Sequence, residues 1–157
     1  MRDLGNIEDR VLRELIAAKR PVLIFGSGIK RSGAEHEAQR FAGITGYMVC
    51  PTWGAIDLFP GAAAFGTHGN PLANAAVQSA DYILCVGSRL DTKATGTPAS
   101  SFATKAKIAM VDIDPSEMEK MRKVGVPLHR AIRADAKDFL KAILIRTEYY
   151  DKFRYEL

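Results

Sequence analysis

Gly87-Ser88-Arg89-Leu90-Asp91 follows the wholly apolar run Tyr82 to Val86, and a second glycine turn, Gly26-Ser27-Gly28, follows the apolar run Pro21 to Phe25. This pattern suits phosphate binding. Glycine lets main-chain N–H groups approach phosphate oxygens, a following helix N-terminus adds partial positive charge, and arginine supplies a fixed cation with a rigid donor fork. Arg89 can meet a ligand or form a surface ion pair with Asp91. Two further turns, Thr52-Trp53-Gly54 and Gly66-Thr67-His68-Gly69, stand where other apolar stretches end. His68 can contact a cofactor or simply orient its loop. Asp112 and Asp114 alternate about Ile113 and so share a face. Pro115 makes Asp114 the natural helix cap, which leaves Asp112 as the ribose-hydroxyl acceptor.

Two nucleotide fingerprints come close and fail. Gly26 and Gly28 begin a GxGxxG, but Arg31 stands at its third glycine, and no acidic residue ends the second strand to hold a ribose. Gly28 and Gly33 have Walker spacing, yet Ala34 and Glu35 replace the lysine and the hydroxyl that grip phosphate and magnesium. The usual dinucleotide dehydrogenase and the P-loop NTPase are thereby set aside. No Cys/His spacing supports zinc, and no serine sits in a nucleophile elbow.

These turns need strands and helices to hold them. Short apolar runs at Pro21 to Phe25, Tyr47 to Cys50, Tyr82 to Val86, Ile108 to Ile113 and Leu128 to Ile132 read as strands. Helical stripes lie between them, with predicted caps at Asn6, Ser32 (paired with Glu35), Asn70, Asp114 and Asp135. Strands alternating with helices imply a parallel sheet joined by right-handed crossovers, helices on both faces, and ligands outside the carboxyl ends of the strands. The stretch Asp91 to Ser101 lacks apolar periodicity and is expected to be exposed, or ordered by a ligand.

The 157 residues suit one domain, expected as a helix over 1–18, a nucleotide-binding-like core over 19–145 and a tail over 146–157. Hydrophobic residues make up 47% and charged residues 25%, which places the chain among globular proteins. The net charge of +4 is interleaved with acidic residues, so neither a nucleic-acid footprint nor a membrane segment is expected, and the cytoplasm is the expected compartment. Cys50 and Cys85 both lie in apolar runs and read as reduced core thiols.

From about residue 19 to 143 the order of motifs resembles the central domain of thiamine-diphosphate enzymes of the acetolactate synthase type. The resemblance rests on Arg20-Pro21-Val22-Leu23-Ile24-Phe25-Gly26-Ser27-Gly28, Gly66-Thr67-His68-Gly69 with Ala73-Asn74, Gly87-Ser88-Arg89-Leu90-Asp91 with Thr95-Gly96, Val111-Asp112-Ile113-Asp114-Pro115-Ser116-Glu117 and Ala134-Asp135-Ala136-Lys137. It implies a three-layer Rossmann-like α/β domain with a mainly parallel six-stranded sheet. It further implies FAD or an ADP-like nucleotide held near Gly26, Ser27, Gly28, Thr52, Trp53, Gly54, Thr67, His68, Gly87, Ser88, Arg89 and Asp112. Asp91 is followed by Thr92 and Lys93, where the family often has two acidic residues and an arginine, and Ile56 replaces a common glycine.

In such enzymes thiamine diphosphate and magnesium lie between two other domains, one giving an activating glutamate and one a GDG-to-asparagine motif. This chain carries neither, so it is expected to depend on catalytic domains or subunits elsewhere, to lack catalytic residues of its own, and to form a homo-oligomer. Two other readings stand beside it. Phe25-Gly26-Ser27-Gly28-Ile29 is similar to the first turn of sirtuin-like NAD-dependent deacylases, and a ligand-free oligomerisation module would use the same glycine turns only for structure.

Overall fold

The computed structural model describes residues 4–156. Five parallel strands form the sheet among the described residues: β1 (Pro21–Phe25), β2 (Met48–Val49), β3 (Tyr82–Val86), β4 (Lys107–Asp112) and β5 (Arg130–Arg133). Their order is β2-β1-β3-β4-β5, with Phe25 opposite Val86 and Val86 opposite Val111 at the carboxyl ends. The fold class is the one expected, with five strands where the resemblance implied six. Chain order reverses at β1: the first crossover runs outward to β2 and the next returns to β3 on the other side. The connections leaving β1 and β3 therefore run to opposite sides of the sheet edge.

Seven α-helices, α1 (Leu4–Ala17), α2 (Gly28–Arg31), α3 (Glu35–Thr45), α4 (Pro71–Ser79), α5 (Thr92–Thr95), α6 (Pro115–Lys123) and α7 (Ala136–Thr147), and the 3₁₀ turns Trp53–Leu58, Ala99–Ser101 and Asp151–Glu156 complete the described structure. Strand periodicity sorts the core into two layers. Leu23, Phe25, Leu84, Val86, Val111 and Ile132 point toward α1, α3 and α7, where they meet Leu12, Leu15, Phe41, Phe139 and Leu140. Val22, Ile24, Ile83, Cys85, Ile108 and Met110 point the other way, toward Ala73 and Val77 of α4 and Met118 and Met121 of α6. Phe153, beyond α7, is also buried and meets Tyr47 edge-on at 6.3 Å, so the chain after α7 packs back on the core.

Three caps form as the sequence predicts. Asn70 accepts from the N–H groups of Leu72 and Ala73, Asp114 from that of Ser116, and Asp135 from that of Asp138. Two do not. The first helix starts at Leu4, which places Asn6 inside it. Ser32 ends α2 instead of opening α3: its hydroxyl donates to the Ile29 carbonyl at 3.1 Å, and Ala34 occupies the N-terminal position of α3 without a side-chain cap. Gly33, at φ +68, breaks the chain between the two helices. The stretch after Asp91 is also more ordered than its composition suggests, since α5 forms and Thr95 is buried. No described helix is long and apolar enough to cross a membrane.

Candidate functional site

At the carboxyl edge the turns after β1 and β3 are fused by backbone contact. The Gly28 N–H donates to the Gly87 carbonyl at 2.9 Å, and the Gly26 N–H to the Val86 carbonyl at 3.2 Å. A Cβ at Gly26 would lie 2.5 Å from the Gly87 oxygen, and one at Gly28 2.7 Å from the Gly87 Cα. Gly87 itself adopts φ +72, and a Cβ there would lie 2.8 Å from the Ile29 nitrogen. No side chain fits on either strand of this seam, so glycine is imposed by packing as well as by conformation. Among the described residues no protein acceptor takes the N–H of Ser27, Ser88 or Arg89.

Two cavities open on either side of the seam. One, of about 250 Å³, runs over the ends of β4 and β5 and is walled by Asp112, Ile113, Asp114 and Ala134 to Ala136. The other, of about 350 Å³, runs toward β2 and is walled by Thr52, Trp53, Gly54, Phe65, Ser88, Leu90, Asp91, Lys93 and Ala94. Ser27, Arg31, Gly87 and Arg89 line both, and form the neck that joins them. The sequence-predicted set is thus brought together at Ser27, Gly28, Thr52 to Gly54, Gly87 to Arg89 and Asp112, with Gly26 buried beneath the seam.

Thr67 and His68 are not part of this grouping. Both are exposed and line neither cavity; Thr67 faces a separate one with Thr95 and Phe102. Their turn has a structural task. Asn74 accepts from the Gly66 N–H at 2.6 Å and donates to the Gly66 carbonyl at 2.9 Å, while the Thr67 N–H donates to the Lys93 carbonyl at 2.7 Å. Gly66, at φ +113, lets the Lys93 oxygen approach where a Cβ would stand 2.5 Å away. This clamp holds the wall formed by Asp91 to Ala94. The β1 turn leads directly into α2, which the sequence reading did not separate from α3 and which spans four residues, too few for a substantial terminal dipole, so positive charge at the neck comes from guanidinium groups.

Arg31 is the residue that the sequence reading passed over. Its position as the missing third glycine of a fingerprint was the available signal, because an arginine there faces whatever that glycine would have approached. Arg89 shows no ion pair with Asp91. Its Nε lies 4.0 Å from Oε1 of the buried Glu117, which also pairs with Lys120 at 3.1 Å, and its side chain is 63% exposed, free to turn toward a ligand. Leu90, next in the chain, takes φ +50 while its side chain is buried, and its N–H donates to Ser88 Oγ at 3.2 Å. Local strain of this kind concentrates at sites that must present a neighbouring group.

The cavity over β4 is electrostatically mixed. Burial holds the Asp112 carboxyl above its ordinary range, opposed by the Asp114 N–H it accepts at 2.8 Å, with Glu117 adding to the rise and Arg89 countering it. Asp114 lies below its usual range because the Ser116 hydroxyl and N–H both donate to it. A hydrogen-bond-accepting carboxylate therefore sits at one end of the neck and guanidinium groups at its middle. Cys85, buried beneath, has its thiol pushed up to about 12 by burial and takes no part.

An open parallel sheet with glycine-fused turns at its switch point and a groove across its strand ends defines a doubly wound, Rossmann-like α/β domain. Comparison with known proteins narrows this class. Residues 9–143 match the family described as thiamine pyrophosphate enzyme, central domain, and the chain belongs to that family. It is 41% identical over 138 residues to a probable acetolactate synthase 2, chloroplastic, of Oryza sativa subsp. japonica, covering 85% of this chain and 20% of that protein. It is 38% identical over 136 residues to an acetolactate synthase large subunit of Corynebacterium glutamicum, covering 83% of this chain and 21% of that protein. The chain spans about a fifth of the length of these relatives.

Proposed function

We propose that the domain holds FAD, or another ADP-containing nucleotide, across the β1/β3 switch point, as a binding module of a thiamine-diphosphate enzyme of the acetolactate synthase type. The observation that carries this reading is the pair of cavities joined at a neck of Ser27, Arg31, Gly87 and Arg89. A diphosphate joins two bulky halves in the same way.

The residues present fit such a group. At the neck, the N–H groups of Ser27, Ser88 and Arg89 and the guanidinium groups of Arg31 and Arg89 would hold the diphosphate through charge-assisted hydrogen bonds. Asp112 would accept from a ribose hydroxyl in the β4 cavity. Phe65, Leu90 and Trp53 give the second cavity apolar walls suited to a flat ring. When bound, a flavin dinucleotide supplies a redox-capable ring; this chain's own part is to orient it and to bridge the two halves of the sheet edge. Thiamine diphosphate and magnesium would be held by other domains or subunits, with which this domain associates in a homo-oligomeric assembly, and decarboxylation and carboligation would occur there.

The visible spectrum of the purified protein, followed by chromatography of the nucleotide released on heating, tests the ligand. Flavin or adenine nucleotide in stoichiometric amount supports the reading. A colourless, nucleotide-free protein that also fails to take up added FAD or ADP overturns it and leaves a structural module.

A further inference from the structure

Glu117 is buried, where a carboxylate is expensive unless it is paired, and it lines neither cavity. Its ordinary task would be local. As the third residue of α6 it stands where a carboxylate reaches back to the N–H of the cap residue, here Asp114. That N–H is already taken, since it donates to Asp112 Oδ1 at 2.8 Å. Glu117 serves two cations instead. Its Oε1 accepts from Lys120 Nζ at 3.1 Å and lies 4.0 Å from Arg89 Nε.

The two cations differ in what else they can reach. Arg89 belongs to the neck and lines both cavities, whereas Lys120 is exposed on α6 and lines neither. A buried carboxylate stripped of its partner is strongly destabilising, but one with two counter-ions can release either and keep the other. The charge of Glu117 is also felt at the cavity wall, because it helps to raise the Asp112 carboxyl while Arg89 opposes that rise.

We infer that Glu117 is the resting counter-ion of Arg89 and a built-in competitor that an incoming diphosphate displaces, with Lys120 neutralising Glu117 once Arg89 has turned; the inference rests on the diphosphate reading of the neck given above. Glu117 and the diphosphate are anionic acceptors for one guanidinium. The exchange replaces one ion pair by another and leaves no bare charge behind, because Lys120 stays. Glu117 is thus a positioning residue: it sets the affinity of the neck through Arg89 without touching the ligand. Lys120, equally remote, acts in the opposite direction by loosening the hold of Glu117 on Arg89.

The test is calorimetric titration of ADP and of inorganic pyrophosphate into the wild-type protein, Glu117→Gln, Lys120→Ala and the double variant, with a thermal melt of each. E117Q keeps the shape and drops the charge, and should tighten both ligands about 3- to 10-fold. K120A should weaken both about 2- to 5-fold, since Arg89 is then the cation left to Glu117, and this loss should vanish when E117Q is also present. Lys120 is exposed, so K120A reports even where E117Q lowers the melting temperature. Weaker binding in E117Q, no change in either variant, or a K120A loss that persists beside E117Q would overturn the inference while leaving the nucleotide site standing. If pyrophosphate follows the predicted pattern and the wild type binds neither ADP nor FAD, the nucleotide reading falls and this inference holds. If the wild type binds neither ADP nor pyrophosphate, both fall.

Discussion

Replacing Gly87 by alanine should damage the β1/β3 seam more than any other glycine substitution in the following set. Two costs combine there. The backbone sits at φ +72, a conformation that costs an ordinary residue about 1–2 kcal/mol, and the new methyl would lie 2.8 Å from the Ile29 nitrogen and 3.0 Å from the Gly28 carbonyl carbon. Overpacking against backbone adds about 1–3 kcal/mol, so the total is about 2–5 kcal/mol. For a domain of this size that lowers Tm by at least about 5 °C. Three controls separate the contributions. Gly33 has φ +68 but open space around its added Cβ, so G33A should show the conformational cost alone. Gly28 lacks a positive φ but would press Gly87 Cα at 2.7 Å, so G28A should show the contact cost alone. Gly43 lies inside α3 with nothing within 4 Å, so G43A should gain about 0.5–1 kcal/mol. Urea titrations with unchanged slope would give the four values. If G87A is no worse than G33A, the turns are not fused as described and the reasoning fails.

Four further outcomes are expected. R89A and R31A should each weaken FAD or ADP by about 10- to 100-fold, read by calorimetry, since in the proposed complex each removes a charge-assisted contact to the same diphosphate. Burial raises the Asp112 carboxyl, so as pH rises the unfolded chain ionises first and the native state loses stability; D112N should therefore raise Tm at pH 7, a gain that vanishes in melts below about pH 4. N70A should cost about 1 kcal/mol in urea denaturation, because it frees the Leu72 and Ala73 N–H groups that open α4. With the Cys50 and Cys85 thiols pushed up to about 11 and about 12, a thiol reagent at pH 8 should leave the native protein unlabelled and modify both after denaturation.

Strands β1 and β3 were legible to the residue, because a five-residue apolar run, buried throughout in β3 and in all but Pro21 in β1, that ends in glycine admits few other structures. The caps at Asn70, Asp114 and Asp135 were legible for a similar reason, as each chemistry is local to three or four residues. Ser32 misled because a serine three residues before glutamate satisfies the capping pattern whether it opens one helix or closes another. The choice depended on Gly33, whose left-handed conformation separates α2 from α3. Arg89 and Asp112 could be placed at the sheet edge from strand ends alone. Arg31 and Glu117 could not, since their places depend on how α2 and α6 seat against the seam. Thr67 and His68 lie outside both cavities, on a glycine-rich turn that secures Lys93 and the wall beside it, a contact no local pattern announces.

The central claim is that one molecule spans both cavities through the Ser27–Arg31–Gly87–Arg89 neck. Titrating FAD into nucleotide-free protein, alone and in the presence of saturating ADP, tests it most directly. One FAD bound per chain, displaced competitively by ADP and lost in R89A, is the predicted result. No FAD binding, or FAD binding that ADP leaves unchanged and R89A retains, would contradict it.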